Sequence, residues 1–120
     1  MADLANELVE TMMGEDSDAH GRQLAFDCMA EVPSQTYRAA IECIVTFEQR
    51  ANLPHIVVPA LVLAGENDTN APPPMMAKMA TKISGSRYVC LPSLGHLANL
   101  EDPLAFDAAV GEFIASVSTD

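Results

Sequence analysis

Two short apolar runs, each stopping just before a residue that can carry chemistry, constrain this chain more than anything else in it. The first, Ala60 to Ala64, is apolar without interruption, breaks at Gly65 and is followed by Glu66-Asn67-Asp68. The second, Arg87 to Leu91, runs into a Pro/Ser/Gly loop that carries Gly95-His96. An unbroken apolar run suits a parallel strand covered on both faces; a half-wet strand would alternate. Between the runs, Ala71-Pro72-Pro73-Pro74 is a stiff lead-in suited to a first helical turn. Met75, Met76, Met79, Ala80 and Ile83 then recur at helical spacing, with Lys78 and Lys82 on the wet side and Gly85 as the stop. Strand, helix and strand predict one right-handed parallel βαβ unit, so the chain is α/β. Open sheets of this kind keep their sites beyond the carboxyl ends of the strands. Asp68 and His96 are therefore expected to share an edge.

Residues 1–52 have a different pattern. Leu4, Leu8, Val9 and Met12 predict a first helix ending at Gly14. Glu15-Asp16-Ser17-Asp18 is an acidic, cap-rich link, and Leu24, Cys28 and Met29 give a second helix an apolar stripe running up to Pro33. Ser34 is placed to cap a third helix, with Tyr37, Ile41, Ile44, Val45 and Phe47 on one face and Glu48-Gln49-Arg50 closing it. On pattern alone, three such helices pack into a core, and Met12, Met13 and Met29 fill irregular gaps in it. Leu53 to Pro59 is a hinge, with Pro59 at the start of the strand, where a missing N–H does least harm. Residues 53–120 form the second unit. Its last helix starts at Asp102-Pro103 and is expected to bury Phe106, Ala109, Val110, Phe113, Ile114 and Val117, leaving a frayed Ser118-Thr119-Asp120.

At 120 residues the chain has material for a modest core but falls short of the roughly 250 residues that large single α/β domains reach, and it reads as part of a domain. A formal net charge of −11 argues against nucleic acid and anionic membrane surfaces as partners. Cys28, Cys43 and Cys90 are too widely separated for a CxxC metal or redox motif, and an odd count does not suit a disulfide framework. No signal segment or run long enough to span a bilayer is evident, so a soluble cytoplasmic protein is the expectation.

The stretches VPALVLAGENDTNAPP and PSLGHLANLEDPLAF, within Leu53 to Phe113, resemble the acid and histidine blocks of the α/β-hydrolase fold. The resemblance is to its C-terminal third, in the 3-oxoadipate enol-lactonase-like and C–C-bond hydrolase branch. It implies Asp68 as the acid and His96 as the base of a catalytic triad, no cofactor, and a parent enzyme that hydrolyses a small carboxylate substrate, an ester, a lactone or, for C–C bond cleavage, a diketone-like compound. Residues 1–52 would be the end of a helical cap and residues 53–120 the C-terminal part of the core. Asp68 and His96 stand in the chain order that such hydrolases use. The family's nucleophile motif G-x-S-x-G is absent from these residues, so the chain is expected to be inactive alone and to regain activity with an N-terminal half.

Several alternatives stand beside that reading. Glu66 is a competing acid, expected to be solvated or bonded to backbone, and Ser93 is a poor substitute nucleophile because it shares a loop with His96. Asn99 and Glu101 read as residues that brace the loop and start the last helix, with Glu101 and Asp102 at its positive end. A metal site of Glu66, Asp68 and His96 lacks a second histidine at ligand spacing. His20 and His55 read as surface or packing residues. A non-catalytic rival is an interaction module that associates through the exposed edge of the Ala60 to Ala64 strand.

Overall fold

The two apolar runs pair as parallel strands in the computed structural model, which describes residues 1–14 and 16–118. Glu15 of the acidic link, and Thr119 and Asp120 of the expected frayed end, lie outside the described residues. The order is α1 (Ala2–Met12), α2 (Ala19–Glu31), α3 (Ser34–Thr46), a 3-10 turn (Arg50–His55), β1 (Leu61–Gly65), α4 (Pro73–Ala80), β2 (Arg87–Leu91), α5 (Ala98–Glu101) and α6 (Pro103–Val117). In the sheet Leu61 stands opposite Arg87 and Gly65 opposite Leu91, so both strands end at the same edge. The architecture is α/β, with α4 against both strands and α6 against β2.

Within this frame the apolar runs behave differently from one another. Val62 and Ala64 are buried, whereas Leu61 and Leu63 are half-buried, so β1 is fully covered on one face only. Ile83 is buried just after α4, which ends at Ala80, while Met75 in the predicted stripe is exposed. The stripe on α6 is not buried as expected: Phe106, Ala109, Val110 and Phe113 are half-buried, and Ile114 and Val117 are exposed. A 15-residue helix whose packing partners are β2 and the four-residue α5 has too little surface against it to cover that stripe.

The N-terminal helices divide in the same way. Val9 and Met13 of the α1 end form the core with Ala25 of α2, and Phe26, Leu97 and Leu100 pack around them. The buried face of α2 is Gly21 and Ala25, while Leu24 and Cys28 of the expected stripe are exposed. Close approach decides this, because a Cβ on Gly21 would stand 1.9 Å from the carbonyl oxygen of Leu100. Only the small face of α2 can meet α5. Asp18 caps α2 by accepting the Gly21 N–H at 2.8 Å, whereas α3 starts without a side-chain cap at Ser34 or before it. α3 buries nothing and makes no substantial packing contact with another described element, contrary to its expected place in a core. Among the described residues no helix is long and apolar enough to cross a membrane.

Candidate functional site

The edge where β1 and β2 end is closed by backbone before any side chain arrives. The Glu66 N–H donates to the Leu91 carbonyl at 2.9 Å, and the Asn67 N–H donates to the Leu94 carbonyl at 2.8 Å, tying the turn after β1 to the loop after β2. The two backbones touch at Gly65, where a Cβ would lie 2.2 Å from the Gly95 oxygen and 2.5 Å from the Leu94 oxygen. Any side chain at that position would drive the loops apart. Gly65 is therefore needed for this close approach as well as to end the strand.

Asp68 sits in this closed turn, 8% exposed. Its Oδ1 accepts the N–H groups of Asn70 at 2.8 Å and Ala71 at 3.0 Å, which fixes the carboxylate. That leaves Oδ2 directed at His96, whose Nδ1 lies 2.8 Å away. Burial works to raise the Asp68 pKa, but hydrogen bonds from Ala71, His96 and Asn70, with the electrostatic pull of His96, outweigh it and hold the carboxyl below its ordinary value. The group is thus an anion at neutral pH and favours a proton on Nδ1, which leaves Nε2 as the ring's acceptor. The His96 side chain is 37% exposed, so the ring is not sealed away.

The loop carrying His96 is held from three directions. The Glu66 carboxylate accepts the Ser93 N–H at 2.8 Å, and Asn67 Nδ2 donates to the Ser93 carbonyl at 3.1 Å. These contacts support Ser93 in a left-handed backbone conformation, φ 62°, uncommon for a residue with a Cβ. From α1, the Met12 carbonyl accepts the His96 N–H at 2.7 Å. From α5, the buried Glu101 carboxylate accepts the Gly95 N–H at 2.9 Å and the Gly14 N–H at 2.8 Å.

The sequence expectations meet this geometry unevenly. Asp68 and His96, expected at one edge, are in direct contact. Glu66 is bonded to backbone, one of the two alternatives left open for it. Asp102 caps α6 through the Ala105 N–H at 3.0 Å. Glu101 does brace a loop, but it closes α5 with its carboxylate turned toward Gly14 and Gly95, away from any role at the start of α6. Sequence reasoning missed the part played by Met12 and Gly14, since a backbone group leaves no compositional signal. Among the described residues, no hydrogen bond joins the Ser93 hydroxyl to His96, and no group of three or more His, Cys, Asp or Glu residues is placed to hold a metal ion. A cleft of about 490 Å³ lies beside the site, lined by Gly14, Asp16, Ser17, Asn67, Ser93, Glu101 and their neighbours, but neither Asp68 nor His96 lines it.

A carboxylate, an Nδ1–H and the Nε2 of a part-exposed ring can together take a proton from a hydroxyl and return it to a leaving group. Comparison with known proteins adds to this arrangement. No family model matches the chain. It is 30% identical over 100 residues to the provisionally named carbamate hydrolase RutD of Pseudomonas savastanoi pv. phaseolicola, covering 80% of this chain and 39% of that protein. The enol-lactonase structure from Burkholderia xenovorans LB400 superposes with a TM-score of 0.88 at 29% identity, over 96% of this chain and 45% of that one. A thermophilic esterase from Thermogutta terrifontis gives a TM-score of 0.87 at 26% identity, over 98% and 44%. The chain thus spans less than half the length of the proteins it matches.

Proposed function

Since this chain has the α/β-hydrolase fold over the C-terminal part that holds the acid turn and the histidine loop, we propose that Asp68 and His96 are two thirds of a Ser-His-Asp hydrolytic site. The observation that carries the reading is the 2.8 Å contact from Oδ2 of a buried aspartate to Nδ1 of a histidine that stays reachable. In that role Asp68 fixes the imidazole with its proton on Nδ1 and stabilises the imidazolium that forms during turnover. Nε2 takes the proton of an attacking serine as its oxygen bonds to the substrate carbonyl. The same proton then passes to the leaving oxygen or carbon as the scissile bond breaks, and a second cycle with water releases the acid.

The attacking serine lies outside these 120 residues, because no G-x-S-x-G occurs among them. Residues 1–52 are on this reading the end of a helical cap and residues 53–120 the rear part of the core. The substrate is a small ester or lactone, or a diketone-like compound cleaved at a C–C bond, and no cofactor takes part. The neighbouring cleft, with Asp16, Glu101 and Asp102 on its walls, suits no carboxylate. The substrate is held instead between His96 and the serine-bearing polypeptide. That polypeptide pairs with β1, which has β2 on one side only among the described residues. A cytoplasmic setting belongs to the same reading and agrees with three free cysteines.

Mixing the chain with a separately expressed segment containing strand, G-x-S-x-G and helix, taken from an enol-lactonase of the kind it resembles, tests this. Hydrolysis of an activated ester is expected from the mixture and not from the chain alone. Turnover by the isolated chain that disappears in Ser93→Ala would place the nucleophile inside it and defeat the proposal. A second reading uses the same open edge of β1 without catalysis, as a self-association surface. Size-exclusion chromatography separates the two: a stable dimer that does not yield to the serine-bearing segment favours association, and a monomer counts against it.

A further inference from the structure

The His96 loop is anchored to the N-terminal helices by a side chain that, among the described residues, makes no hydrogen bond to His96 itself. Glu101 is 6% exposed, and among the described residues it has no salt-bridge partner. Its two oxygens are divided between distant segments: Oε1 accepts the N–H of Gly95, the residue before His96, and Oε2 accepts the N–H of Gly14, just past the end of α1. The adjoining Met12 carbonyl accepts the N–H of His96 itself. Two consecutive amides of the histidine loop are thus fastened to one point, the end of α1, one directly and one through a carboxylate.

We infer that Glu101 is a positioning residue, the strut through which the α1 and α2 segment sets the His96 ring against Asp68. This rests on the reading of Asp68 and His96 as a working pair, and it assigns the N-terminal helices a part in holding the base as well as in covering a substrate. The chemistry of the strut is specific. Two N–H donors meet it, one at each oxygen, and a carboxylate offers an acceptor to each. A glutamine of the same size offers one acceptor and one NH₂, which meets the second donor with another donor. The loop then loses one of its polar ties to α1, which among the described residues are this strut and the Met12 carbonyl, and the ring shifts relative to Asp68 even though Leu97 stays packed on the Val9 and Met13 core.

The tautomer of His96 reads this directly, and far-UV circular dichroism reads the overall fold separately. ¹⁵N NMR of the full chain is expected to show His96 with a proton on Nδ1, shifted downfield by Asp68, and an unprotonated Nε2. Glu101→Gln is expected to keep the far-UV circular dichroism of the wild type while losing most of that Nδ1–H population. Glu7→Gln, on the exposed face of α1, is expected to change neither. If Glu101→Gln does not fold, Gly14→Ala presses on the same strut, because its Cβ would stand 3.3 Å from Glu101 Oε2, and a smaller loss of the same signal is expected. A folded Glu101→Gln, or Gly14→Ala where that is the variant that folds, with the wild-type His96 tautomer overturns the inference and leaves the function proposal standing. A wild type without the Nδ1–H signal overturns both together.

Discussion

The histidine edge and α3 are built from similarly ordinary sequence, yet one is over-determined and the other is bare. At the edge, Asp68, Glu66 and Glu101 each accept backbone or imidazole hydrogens from a different part of the chain, so that the position of the His96 loop is fixed from several sides. α3 has the regular apolar spacing of a core helix but leaves Ile44, Val45 and Phe47 exposed, with Phe47 72% accessible. Covering side chains of this size is worth about 1.5–3 kcal/mol each, so the uncovered face forgoes a large stabilisation. Amphipathic spacing states that a helix has a face to bury and says nothing about what will bury it. Polar contacts carry more information, because donors and acceptors must meet at defined distances and cannot be satisfied by an unspecified neighbour.

The most drastic way to break the contrast is at the acid. In the complemented enzyme, Asp68→Asn is expected to lower kcat by roughly 10⁴-fold, the scale on which a wrong histidine tautomer disables a Ser-His-Asp site. Steady-state hydrolysis measures this, and a loss below tenfold would remove Asp68 from the mechanism. Next comes the backbone contact that brings the loops together. Gly65→Ala puts a methyl group 2.2 Å from the Gly95 oxygen, and the forced separation is expected to cost about 1–3 kcal/mol in urea unfolding. It should also lengthen the Asp68 to His96 contact, visible as a weakened Nδ1–H signal.

A smaller effect follows from protonation. The folded-state pKa of Asp68 lies below its ordinary 3.8, so the carboxylate binds its proton less readily in the folded chain than in the unfolded one. Its contribution to stability is then complete above about pH 4 and is lost as pH falls through the depressed folded value. Urea melts of the wild type should weaken across that acid window more than those of Asp68→Asn, and parallel curves would show that the depression is absent. The smallest change is expected at α3, where Ile44→Lys should alter stability by no more than about 0.5 kcal/mol, as for a largely exposed side chain. A larger loss in the isolated chain would mean that α3 packs against something in solution and would erase the contrast between the two regions.

Most of the site was legible in residue order. Asp68 and His96 each follow an apolar strand, and parallel pairing of those strands is sufficient to bring them to one edge. The proline-led start of α4 and the Asp102 cap of α6 were also readable, since capping is local chemistry. The burial of α2, α3 and α6 was not. In α2 the larger apolar residues yield to Gly21 and Ala25 because α5 approaches too closely to admit a side chain, a fact that depends on where α5 lies.

By itself the order of residues determined the strands, the turn glycine and the placement of Asp68 and His96 just past the strand ends, because each of these rests on contacts or preferences within a few positions along the chain. Only the tertiary structure decided what holds His96 in place: the Met12 carbonyl meets its loop directly from a segment distant in sequence, and the Gly14 amide does so through Glu101. The physical reason is that a hydrogen bond is satisfied by distance and direction in space, and a buried carboxylate takes whichever two amides the fold delivers to it.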